Sequence, residues 1–159
     1  MEIITKIESQ EWCRVNSVSL DNFSRPKANC ETEDFNIPSD AGQRVAMVAN
    51  QFAIFQNEDE ILVWFTGWGV WQSGERMHIF DRFRLSYGEK RFLIDSPGHI
   101  FTRAEFEDAL SFVTLGVLFL WDCYIVNRKG DRILFYSHDE FGYKTEEDRV
   151  EPVNQGDGE

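Results

Sequence analysis

Cysteine is scarce and poorly placed for chemistry. The chain has three, Cys13, Cys30 and Cys123, and no C-x-x-C pair. That spacing argues against a zinc ribbon and a dithiol redox motif, and an odd number of scattered thiols fits a reducing compartment. Histidine is equally sparse: His78, His99 and His138 stand far apart, with no H-x-x-x-H or H-x-x-E-H spacing to hold a metal. No phosphate loop is present, because Gly67-Trp68-Gly69 lacks the third glycine and its indole would obstruct a phosphate. There is no G-x-S-x-G nucleophile elbow. The longest apolar run, Phe112–Trp121, stops at Asp122 and is too short to span a bilayer. The first residues, Met-Glu-Ile-Ile-Thr-Lys-Ile-Glu, contain no apolar signal core. These absences predict a cytoplasmic protein with no membrane segment, no metal and no cofactor.

Positive charge is the other shortage. Sixteen Lys and Arg face 28 Asp and Glu, for a formal net charge of −12. Residues 1–60 carry 11 acids against 5 bases, residues 61–138 nine of each, and residues 139–159 eight against two. Such a surface repels phosphate backbones and argues against direct nucleic-acid binding. The same field would attract a basic protein. The simplest alternative is that the acidity serves solubility alone.

What the chain does have is apolar material. Hydrophobic residues make up 42% and aromatics 14% of its 159 residues, with 14 Phe and 5 Trp. One core packed with large rings follows. Residues 1–142 are expected to form a single globular domain, and the acidic residues 143–159 a flexible tail.

Residues 1–38 are hard to read: Glu11–Val18 is a candidate strand without clean alternation, and Asp21–Ser39 has loop composition. A helix then starts at Ser39 or Asp40, with Ala41, Val45, Val48, Phe52 and Phe55 on one stripe, and ends in Gln56–Asp59. Glu60–Thr66 is a strand apolar on both faces. The spacing of Ile79, Phe80, Phe83 and Tyr87 predicts a helix from about Gly74 to Tyr87, capped by Ser73 and stopped by Gly88. A short strand over Arg91–Asp95 and a type II turn over Ser96–His99 follow.

Thr102-Arg-Ala-Glu105 spells a capping box, and Phe101 with Phe106 a hydrophobic staple, together stabilising by roughly 1–2 kcal/mol. The helix they open buries Phe106, Ala109, Leu110, Val113 and Val117 and is expected to pass through Gly116 to about Phe119. Strands Trp121–Asn127 and Arg132–His138 make a C-terminal hairpin. The order of elements predicts an α+β (or α/β) fold, a small sheet of three to four strands packed against about three helices.

Two constellations stand out. Ser137-His138-Asp139-Glu140 lies where a strand ends; His138 with Asp139, Glu140 and a distant His99 would suit a hydrolase or a metal-dependent enzyme. Its plainer reading is a turn whose Asp139 bonds to backbone N–H groups. Trp68 and Trp71 sit in a glycine-rich bend, and with Arg82 and Arg84 they would make a binding hot spot. Their plainer reading is that both rings cap the core.

The segments Trp68–Glu75, Ser96–Phe101 and Ser137–Phe141 resemble a family of small, uncharacterised bacterial proteins, over roughly residues 40–142. The resemblance implies a bacterial source and an intact domain, and carries no functional residues. Without a catalytic signature, the leading expectation is a non-enzymatic acidic interaction protein, immunity-, inhibitor- or adaptor-like, that binds a basic partner; its oligomeric state is left open.

Overall fold

A computed structural model of the chain describes residues 1–68 and 76–145. These residues form nine strands: β1 Glu2–Ile4, β2 Ser19–Leu20, β3 Pro26–Lys27, β4 Thr32–Asn36, β5 Glu60–Gly67, β6 Gly98–Thr102, β7 Asp122–Asn127, β8 Ile133–Tyr136 and β9 Phe141–Thr145. Its helices are α1 Lys6–Val15, α2 Ala41–Phe52, α3 Met77–Ser86 and α4 Phe106–Leu118. Seven strands form one antiparallel sheet in the order β1-β6-β5-β7-β8-β9-β4, and β2 pairs with β3 in a separate ribbon. The fold is α+β, but the expectation of three to four strands and about three helices falls short. In the main sheet β1, β4, β6 and β9 went unread, as did the β2–β3 ribbon and one helix.

The unread helix is α1. Thr5 caps it in a full box, its Oγ1 accepting from the Glu8 amide at 3.2 Å while Glu8 Oε2 accepts from the Thr5 amide at 2.7 Å. Its buried residues are Ser9 and Cys13, so it lacks an apolar stripe, and the candidate strand over Glu11–Val18 falls on the second half of this helix and the turn that follows it. Of the unread strands, β1 has three residues and β4 is a polar edge whose Phe35 is partly buried, against Tyr136 at 5.7 Å. Another, β9, carries the sheet to Thr145, so residues 143–145 are strand and not tail; Thr145 is buried and its Oγ1 accepts from the Ile133 amide at 3.3 Å.

Elsewhere the local chemistry acts as read. Asp40 caps α2, accepting from the Gln43 amide at 2.8 Å, and Val48, Phe52 and Phe55 are buried while Val45 is half exposed. The predicted start of the third helix, Ser73 to Glu75, lies outside the described residues; α3 ends in a Schellman motif, with Gly88 at φ 82° and the Glu89 amide bonded to the Arg84 carbonyl. The Thr102 box is present, and α4 runs through Gly116 to Leu118 after one 3-10 turn at Arg103–Glu105.

The type II turn is absent. Gly98 has no positive φ and is the first residue of β6; what requires glycine is close approach, because a Cβ there would collide with the side chains of Ser9 and Ile4. Residues 91–95, expected as a strand, form none.

The two faces of the sheet carry separate cores. On one, Val63, Phe65, Phe101, Cys123 and Ile125 pack under α2, α3 and α4. Phe65 meets Phe112 edge-on at 5.3 Å and Phe80 stacks on Trp121 at 4.4 Å. On the other, Ile4, Leu62, Trp64, Ile100, Tyr124 and Val126 pack under α1 and the segment around Val18. Among the described residues no helix is long and apolar enough to cross a membrane.

Candidate functional site

The predicted catalytic set does not come together. His99 is on β6, opposite Val63, which in turn faces Ile125 on β7. It is fully buried, with Phe112 at 4.5 Å and Phe65 at 6.1 Å. Neither ring nitrogen makes a hydrogen bond of good geometry, though the backbone of Val63 and Pro97 lies close enough to favour charge slightly. Burial, reinforced by the guanidinium of Arg84, outweighs that pull and lowers the pKa of His99 to about 3. His138 is three strands away in the β8–β9 turn, on the order of 15 Å distant by strand geometry.

The tetrad itself is a tight turn. The Ser137 amide bonds the Phe141 carbonyl at 2.8 Å, Ser137 Oγ accepts from the Asp139 amide at 3.2 Å, and Glu140 takes φ 62°. Glu140 is engaged by Arg44 of α2 at 2.8 Å, and its carbonyl accepts from the Ile37 amide. His138 has a partner that the sequence did not indicate: Asp122 Oδ1, at the start of β7, lies 2.8 Å from both its amide and its Nδ1. The other ring nitrogen is 3.4 Å from Asp139 Oδ1. Among the described residues no hydroxyl or thiol bonds to His138, and its imidazole has a carboxylate on each side. Among the described residues no group of three His, Cys, Asp or Glu could hold a metal ion.

The predicted hot spot also divides. Arg84 is 1% exposed and bolts α3 to the chain that follows, donating to the carbonyls of Arg91 at 2.9 Å and Ser96 at 3.0 Å. It is therefore structural and cannot share a surface with the tryptophans. Arg82 lines a hollow of about 360 Å³ with Leu85, Lys90 and Phe92. Trp68 is half-buried on a different hollow at the end of β5. Trp71 lies outside the described residues.

Another groove, of about 350 Å³, has the character that the −12 charge led one to expect. Glu8, Glu11, Trp12 and Val15 line it from one flank of α1, Glu2 from β1 and Glu60 from β5. Trp12 donates its indole N–H to Glu60 Oε1 at 2.9 Å, which fixes the ring as one wall. Backbone and side-chain hydrogen bonds from Thr5 lower the pKa of Glu8, keeping it ionised. Among the described residues Arg128 is the sole cation lining the groove, and Asn16 holds it through Oδ1 at 3.2 Å. One signal for this groove was present in the sequence: Thr5-Lys-Ile-Glu8 has the same box spacing as Thr102-Arg-Ala-Glu105.

The molecule is thus an antiparallel α+β protein with a helix-sealed face and a more open one that carries an acidic groove. No family model, no curated protein and no solved structure matches the chain. The likeness to small bacterial proteins gains no support from these comparisons, and any functional reading rests on the chain's own geometry.

Proposed function

We propose that this chain is an acidic interaction protein that binds a basic segment of a protein partner in the groove beside α1. The observation that carries this reading is the groove's lining, four glutamates around an oriented indole and the exposed Val15. A lysine or arginine side chain entering there meets carboxylates for its charge and the Trp12 face for its stem and cation. The acidic field of the whole chain would speed the encounter, and the groove would supply the specificity.

The enzymatic alternative, using His138, Asp139 and Glu140 with His99, has less behind it. Its two histidines are apart, and Glu140 is held by Arg44.

The test titrates the protein with a lysine- and arginine-rich peptide and follows tryptophan fluorescence at low and moderate salt. Binding should weaken as salt rises, and replacing Glu2 and Glu11 by Gln should weaken it by about tenfold at low salt. Affinity that ignores both ionic strength and these two substitutions would sink the proposal.

A further inference from the structure

On the other side of the Ser9–Cys13 stripe, Lys6 leaves α1 towards a hollow of about 200 Å³ at the end of β5. Its character is opposite to that of the acidic groove. In a chain of net charge −12, the described residues lining it include Lys6 and Arg25 and none that is acidic. Its apolar walls are Trp68, Phe23 and Ile94, the last two 73% and 64% exposed. Exposed rings and aliphatic groups gathered around cations are the composition of a ligand site more than of a solvated surface.

Two further features make the hollow receptive. Thr66, which lines it, has a buried hydroxyl with no hydrogen-bond partner among the described residues. Lys6 makes no ion pair among them either. A buried hydroxyl left unpaired is costly, and an acceptor arriving in the hollow would relieve it. The opposite wall is preformed. Asp21 Oδ1 accepts from the amides of Phe23 at 2.8 Å and Arg25 at 2.9 Å, its other oxygen holds the Arg25 guanidinium, and that guanidinium lies 4.9 Å from the centre of the Phe23 ring. With Arg25 already shared with Asp21, Lys6 is the charge left for a ligand.

We infer that this hollow is a binding site for a small aromatic carboxylate, its ring between Trp68 and Phe23 and its carboxylate directed to Lys6 and Thr66. The volume is below the usual range of about 300–1,000 Å³ for drug-sized ligands, which restricts the occupant to a single ring with a short acidic arm. This site is independent of the acidic groove and of any basic partner.

The experiment adds benzoate or phenylacetate to the intact protein and follows amide and indole N–H resonances by NMR. Benzamide and inorganic phosphate serve as the neutral and the ring-free controls. The carboxylates should saturate and shift Lys6, Thr66 and the Trp68 indole. Benzamide and the Lys6→Gln variant should each bind about tenfold more weakly, the size expected for one lost charge-assisted contact. Lys6 is exposed and makes no ion pair among the described residues, so its variant should fold unchanged. Equal shifts from benzoate and benzamide, an affinity unmoved by Lys6→Gln, or phosphate saturating the same resonances as tightly as benzoate would each overturn the assignment.

Discussion

Three helices cover one face of the sheet, whereas one helix and a two-stranded ribbon lie against the other. On the first face the cover is complete. Phe52, Phe65, Phe80, Phe112 and Trp121 are all about 1% exposed or less, and the His99 imidazole packed among them is kept neutral by burial. On the second face the ten residues of α1 are too few to close the surface beneath them, and a hollow is left on each side of the helix. The two hollows differ in sign, glutamates on one side and Lys6 with Arg25 on the other. Rings, strands and glycines serve both faces, but only incomplete cover leaves side chains free to meet something else. The sealed face reads as scaffold, and both proposed sites lie beside α1 on the open one.

Stability should be distributed as unevenly as the cover. Phe112→Ala leaves a ring-sized void where Phe65, Phe80, Phe83 and His99 converge, and is expected to cost about 3–5 kcal/mol. Trp12→Ala removes a half-exposed ring from the edge of the second core and should cost about 1 kcal/mol. Urea unfolding of both variants measures this as shifts in midpoint at unchanged slope. Equal losses would mean that the open face is as much a part of the core as the sealed one.

Acid separates the faces in another way. The pKa of His99 is lowered from an ordinary 6.5 to about 3, so the unfolded chain takes up this proton more readily than the folded one. The stabilisation is therefore complete above about pH 6.5 and is lost as pH falls towards 3, at up to about 1.4 kcal/mol per pH unit. Glu89 contributes in the same direction but lower. Its carboxyl is lowered from 4.5 to about 2, chiefly by its hydrogen bond to the Arg91 side chain, so its share is lost only below about pH 4.5. Between about pH 6.5 and 4.5 the slope due to His99 should stand apart. In His99→Leu the unfolding free energy should fall less steeply across that interval; parallel curves for variant and parent would remove His99 from the account.

The two faces also differ in how far they could be read from sequence. The sealed face announces itself: a capping box and staple at Thr102, a helical stripe through Val48 and Phe52, and a doubly apolar strand at Ile61–Phe65 are all strong local signals. The open face gives weak or misleading ones. Helix α1 buries Ser9 and Cys13 while exposing Ile7 and Val15, which erases its stripe and left its box at Thr5 unrecognised. Pro97-Gly98 reads as a turn, although Gly98 serves close packing against Ile4 and Ser9. Gly142 looks like the end of the fold, but a side chain there would strike Phe35 and the Phe135 carbonyl, so it marks the pairing of β9 with its neighbours. The candidate sites are less legible still. The acidic groove draws on Glu2, Glu8, Glu11 and Glu60 from three elements, and the partner of His138 lies 16 residues away across the β7–β8 hairpin. No local pattern encodes either.

The most local of these effects is the sharpest test of how the open face is held. Helix α1 rests on β6 at Gly98, where a methyl group would press on the side chains of Ser9 and Ile4, so Gly98→Ala must lift the helix or displace β1. Forcing a methyl group into such a contact costs typically 1–3 kcal/mol. If the open face is a separately held cover, the loss will be local. Hydrogen exchange should quicken across α1 and β1, the amides of β5 and β7 should change far less, and the acidic groove should lose its grip on a basic peptide as Trp12 is displaced from Glu60. Replacing Ser9 by Ala in the same chain removes one of the two obstructing groups and should recover part of the loss. If exchange instead accelerates uniformly through the sheet, α1 and the sealed face unfold as one unit. The hollows beside α1 would then be gaps in a single core, not sites on an independently held cover.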